Sequence, residues 1–252
     1  MFKSPWVYQL VIPALLILLW CLFFGVSHFA HAMGVKAKKN HELHLTDIVP
    51  ANILGLLALI LGFTLSMAIS RYDLRRELII RETNAIETAF MRADLIKPVP
   101  GYDLKKLYRD YVDTRINYYK MADPEPPMKA AEVLKTKIWG HIIEVTKLDR
   151  TDIEGEYIEA VNNMVEATNS RNYAIQVKLP IAIYLMILLI ACTAIGMLRF
   201  DSGYNDEKTH WRPAILTILL GVVIILIFDL DHPRIGMIEV SQQALIDLRN
   251  SM

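Results

Sequence analysis

Four uninterrupted apolar runs dominate this sequence, and each is long enough to cross a lipid bilayer as a helix. A spanning helix needs about 20 apolar residues, because the hydrocarbon layer is about 30 Å thick and a helix rises about 1.5 Å per residue. The runs extend from Trp6 to Phe29, from Ile48 to Ile69, from Leu179 to Leu198 and from Pro213 to Phe228. Trp6, Tyr8, Tyr184 and Trp211 stand near their ends, where amphipathic aromatics anchor at the headgroup level. Lys3 and the triplet Ala30-His31-Ala32 give the first run the outline of a signal peptide. Its apolar stretch exceeds the roughly 7–15 residues of such a leader, so it is expected to remain as a span.

The runs are unevenly spaced, with residues 71–178 between the second and third. The second run does not stop at the membrane surface. No Gly or Pro interrupts Phe63 to Lys97, and Leu74, Leu78, Ala85, Ile86, Ala89, Phe90 and Ala93 recur at helical spacing. One helix of about 50 residues, from Asp47 to Lys97, is expected, ended by Pro98-Val99-Pro100-Gly101. Three amphipathic helices should follow. Tyr102–Met121 carries Leu104, Leu107, Tyr111 and Tyr118 inward. After a stiff turn at 123–127, Met128–Lys147 carries Leu134, Ile138, Ile142 and Val145. The last starts near Asp152 with Tyr157, Ile158, Val161, Met164, Val165 and Ile175, and leads into the third span. No period-two pattern appears, so the fold class is all-α: a four-helix polytopic membrane protein with an inserted helical bundle. The expected division is 1–70 for spans one and two, 71–178 for the helical domain, 179–230 for spans three and four, and 231–252 as a tail.

Charge narrows the function classes. The chain holds 27 basic and 27 acidic residues, so no basic excess points to nucleic acid as a partner. Cys21 and Cys192 lie inside apolar runs and fit neither a disulfide framework nor a zinc spacing. No G-x-S-x-G, H-E-x-x-H, P-loop or dinucleotide fingerprint is present, so neither enzyme activity nor a cofactor is expected. Near the spans, basic residues favour the side holding both termini and the inserted domain, through Lys3, Arg71, Arg75, Arg76, Arg81, Arg234 and Arg249. That side is expected to be cytoplasmic.

The second span carries the most information. At 100° per residue, Asn52, Gly55, Leu59, Gly62, Ser66, Ser70 and Asp73 share one narrow face with Ile48, and Phe63 lies at its edge. Small and polar residues at Ala58, Gly62, Ser66 and Ser70 allow close helix–helix contact in lipid. The same face would equally serve as the wall of a water-filled pore. Two other clusters carry titratable side chains. His28, His31, His41 and His44, near Glu42 and Asp47, form two H-x-x-H pairs with no fixed spacing between them, and read as solvated loop residues. Asp229 and Asp231 follow the fourth span. They are candidates for a hard cation, against the simpler expectation that they pair with the arginines after the second span.

The segment Leu61-Gly62-Phe63-Thr64-Leu65-Ser66-Met67-Ala68-Ile69-Ser70-Arg71-Tyr72 resembles the second membrane helix of bestrophins. More of the chain, from about residue 45 onward, is similar to the bestrophin-like family of bacterial membrane proteins. That similarity rests on 71–77, on Asn84-Ala85-Ile86, on Phe228-Asp229-Leu230-Asp231-His232-Pro233 with Gly236, and on Gln242-Gln243-Ala244-Leu245. The resemblance implies a homo-oligomeric ion channel, pentameric in bestrophins, in a bacterial inner membrane. Its second helix would line the pore, with neck positions at Gly55, Leu59 and Phe63. Gly55 stands where the bestrophin neck has a bulky residue, and the acidic calcium clasp is reduced to Asp229 and Asp231. Asp73 on the pore face leans the expectation toward monovalent cations. The competing expectation is a non-conducting scaffold or sensor whose helical bundle binds a partner protein.

Overall fold

The computed structural model describes residues 5–40, 48–121, 123–148, 152–205, 211–234 and 237–252. Among these are eight α-helices and no strand: α1 (Pro5–Lys39), α2 (Ile48–Arg92), α3 (Leu104–Lys120), α4 (Glu125–Leu148), α5 (Asp152–Gln176), α6 (Ile181–Tyr204), α7 (Trp211–Asp231) and α8 (Gln243–Ser251). Four of them contain stretches long and apolar enough to cross a membrane. The chain divides into two compact units. One is built from Tyr72–Val177 and Glu239–Met252, the other from Tyr8–Arg71 and Lys178–Ile238.

The expected continuity of the second span holds. Helix α2 has 45 residues, about 68 Å at 1.5 Å per residue, and ends in a 3-10 turn at Ala93–Leu95. Pro98 and Pro100 lack the N–H groups a helix would need. Gly101, at φ +86°, takes a left-handed conformation that side-chain-bearing residues rarely adopt. The Asp103 carboxylate then caps α3 by accepting from the Lys106 N–H at 3.0 Å. Helix α4 starts earlier than its prolines imply. Pro126 and Pro127 fall in the first turn, where a missing N–H costs nothing because no intrahelical acceptor exists for it.

The 72–177 unit is a helical bundle around one core. It buries Ile79, Ile86 and Ala89 of α2, Tyr108, Tyr111 and Val112 of α3, Ile138, Ile142 and Val145 of α4, and Tyr157, Val161 and Met164 of α5. Each fully buried aliphatic or aromatic side chain contributes about 1.5–3 kcal/mol. Helix α8 joins this core through Leu245 and Leu248, and Arg249 on it donates to both carboxylate oxygens of Asp113 at 2.8 and 3.0 Å.

Charge is also buried here. Glu82 of α2 has no exposure, and Arg115 of α3 donates to its Oε1 at 2.7 Å while Arg171 of α5 donates to Oε2. The remaining donors are taken up nearby. Arg115 also donates to Asn172 at 2.9 Å, and Arg171 to the Gln242 side-chain carbonyl at 2.6 Å. Burial pushes the Glu82 carboxyl up, and the two guanidinium charges outweigh it, leaving the group below the usual carboxylate range.

In the other unit, close backbone approach sets the packing of α1 on α6. A Cβ on Gly34 would overlap the Phe200 carbonyl, and one on Gly203 would overlap the His31 carbonyl. In lipid, where apolar side chains gain nothing by leaving the solvent, such contacts hold helices together by dispersion.

Candidate functional site

Within its own unit, the membrane part of α2 packs on one side only. Leu57, Leu61, Thr64 and Ala68 are buried, recurring every three or four residues. At 100° per residue their mean direction lies about 180° from that of Asn52, Gly55, Leu59, Gly62, Ser66, Ser70 and Asp73. All seven of these are exposed, as is Phe63 beside them. Leu59 keeps 56% and Phe63 65% of its surface accessible. A Cβ built on Gly55 or Gly62 would meet nothing within 4 Å. The chain therefore brings the eight sequence-derived positions onto one side of α2 and covers none of them.

The polar members of this face differ in how they are satisfied. The Ser70 hydroxyl donates to the Ser66 carbonyl at 3.0 Å, a helix-internal bond that leaves no donor idle. Asp73 is exposed, and among the described residues no basic side chain pairs with it. Three of the nearby arginines are engaged elsewhere. Arg71 points to Asp231 at 3.3 Å. Arg75, 2% exposed, donates to the carbonyls of Ala174 at 3.2 Å and Val177 at 2.9 Å, at the C-terminal end of α5. Arg81 pairs with Glu77 at 2.7 Å.

The acidic pair after the fourth span is structural in its contacts. Asp229 accepts the N–H groups of Met237 at 2.7 Å and Ile238 at 3.0 Å, folding the chain back after α7. Asp231 accepts from the Leu179 N–H at 2.8 Å and the Tyr184 hydroxyl at 3.2 Å, besides facing Arg71. Among the described residues no three His, Cys, Asp or Glu side chains gather as a metal site would require. His28 is exposed on α1 and His31 half-buried. His41, His44, Glu42 and Asp47 lie outside the described residues. Sequence reasoning missed Leu179 and Tyr184 as partners of Asp231, since nothing in the spacing links positions about fifty residues apart.

Comparison with known proteins adds a family. A Bestrophin-like domain model matches residues 17–245. No curated protein sequence matches the chain. The fold is similar to that of a bacterial Bestrophin homolog from Klebsiella pneumoniae, with a TM-score of 0.68 at 14% identity, covering 93% of this chain and 98% of that one. A point mutant of a Klebsiella pneumoniae Bestrophin homolog superposes with a TM-score of 0.65 at 14% identity, covering 93% and 99%. At such low identity the likeness is one of fold.

Proposed function

The chain belongs to the Bestrophin-like family, and from that premise we propose that it is one subunit of a homo-oligomeric ion channel whose pore is lined by α2. It is an integral membrane protein. We place its termini and helical bundle in the cytoplasm of a bacterial inner membrane, on the strength of the basic residues flanking that side of the spans.

The observation that carries the reading is the uncovered face of α2. Four spans are few to enclose a path by themselves, so a conducting pathway would be built by several copies about an axis. The face from Asn52 to Asp73, opposite to the packing face, is the surface free to meet that axis. Leu59 and Phe63 would then form apolar rings that close by dewetting, with Gly55 leaving a wider section beside them. Asp73 would form a ring of carboxylates at the cytoplasmic mouth, concentrating cations and repelling anions. No catalytic role is proposed.

A non-conducting scaffold is the second reading. It is favoured by one observation, a shallow groove of about 310 Å³ lined by Lys135, Thr136, Trp139, Asn162 and Val165, with Trp139 39% exposed. Reconstitution of the purified chain in a planar bilayer separates the two. Discrete ion currents are expected for the channel. A strictly monomeric, electrically silent protein supports the scaffold.

A further inference from the structure

Among the described residues, Arg199 is a charge without a counterpart. It lies 18 residues beyond Ile181 on α6, about 27 Å along the helix, near the end of the third span at Tyr204. Its side chain is 8% exposed, and neither Nε nor Nη1 has a hydrogen-bond partner. Ser202 follows three residues later on the same side of the helix. It is 4% exposed, and its Oγ also has no partner. Two orphan polar groups are therefore buried within one turn.

Their chemistry states what is missing. A guanidinium donates only and does not lose its proton in a protein. A charged group at membrane depth is rare unless it faces a partner, a cavity or an ion. Among the described residues, Arg199 has no acidic partner. Basic side chains stand in the neighbouring turn of α1. Gly34 sits against Phe200 and Tyr204, so the last turn of α1, with Lys36, Lys38 and Lys39, is close to this end of α6.

We propose that Arg199 and Ser202 form the donor side of a binding site for a phosphate-type oxyanion, held beside the last turns of α6 at the membrane boundary. The guanidinium fork matches two phosphate oxygens, and the serine hydroxyl donates to the same group. A phospholipid headgroup lies at the depth where a spanning helix ends, and a free phosphate presents the same oxygens. The site is independent of whether α2 lines a pore.

The test uses the purified full-length protein, delipidated in detergent, with two probes: phosphatidylglycerol read by native mass spectrometry, and inorganic phosphate read by thermal shift. Retention of one phosphatidylglycerol per subunit, unaffected by phosphate, assigns the site to a headgroup. Stabilisation by inorganic phosphate assigns it to a free anion. In either case Arg199→Gln should weaken binding about tenfold or more, as loss of a charge-assisted bond does. Ser202→Ala should weaken it about fivefold, the worth of one neutral hydrogen bond. Arg199→Lys keeps the charge but loses the fork, and should fall between wild type and Arg199→Gln. Should Arg199→Gln not fold, the other two variants decide. Binding of both probes equal in wild type, Ser202→Ala and Arg199→Lys, or absent in wild type, overturns the site.

Discussion

The Arg71 guanidinium lies 3.3 Å from a carboxylate oxygen of Asp231, and Asp231 is fully sealed from solvent while Arg71 keeps 22% of its surface. The carboxylate also accepts the Leu179 N–H at 2.8 Å, just before α6 begins. One residue thus joins the middle of α2 and the end of α7 to the start of the third span. Removing one partner of a buried, hydrogen-bonded pair costs about 3–5 kcal/mol, because the other is left desolvated. Asp231→Ala should lower the unfolding midpoint in detergent by that measure, and Arg71→Lys by less. Equal midpoints in wild type and Asp231→Ala would remove this role.

A second prediction concerns pH. The Glu82 carboxyl sits below its ordinary value of 4.5, pushed up by burial but pulled down further by Arg115 and Arg171. The unfolded state therefore binds the proton first. The stability that Glu82 contributes is present above pH 4.5 and is lost as pH falls through the lower folded value. Glu82→Gln should be less stable than wild type at neutral pH by about 3–5 kcal/mol. The gap should narrow as pH drops below 4.5. Thermal midpoints of both proteins, measured across that range, check the sign. A gap that stays constant with pH contradicts it.

The constriction is tested by trimming it. Leu59→Ala and Phe63→Ala widen an apolar ring, so each should raise ion flux from liposomes relative to wild type. Both residues are exposed in the single chain, so trimming them removes little packing within it. Unaltered flux in both variants transfers these positions to lipid or subunit packing.

Charge selectivity rests on Asp73. Reversal potentials under a salt gradient should indicate preference for monovalent cations in wild type, reduced in Asp73→Asn. An anion-selective wild type that Asp73→Asn leaves unchanged places this carboxylate away from the permeation path.

Much of the architecture is written in local pattern. The gap-free stretch from Phe63 to Lys97 appears as the continuous helix α2, and apolar spacing located Ile138, Ile142, Val145, Val161 and Met164 in the core. Glu82, Arg115 and Arg171 were not legible. Charged residues at helical spacing read as a solvated face, and burial became affordable only through partners 33 and 89 residues away. Helix α8 escaped notice for a similar reason: its nine residues are too few for an apolar pattern to stand out, and its docking depends on Leu245 and Leu248 meeting a core formed elsewhere. The α2 face was legible as a pattern of small and polar residues. Its use depends on other copies of the chain, which helical periodicity does not encode.

Cysteine accessibility during current recording tests the pore-lining role of α2 most directly. Single cysteines at Leu59, Phe63 and Ser66 are compared with cysteines at Leu57 and Leu61, in an otherwise cysteine-free protein in a planar bilayer. A pore-lining α2 requires that a charged, water-soluble thiol reagent alter the current at the first three positions and leave it unchanged at the two packing positions. Current insensitive at Leu59, Phe63 and Ser66, or altered only at Leu57 and Leu61, would contradict the assignment of this face to the pore.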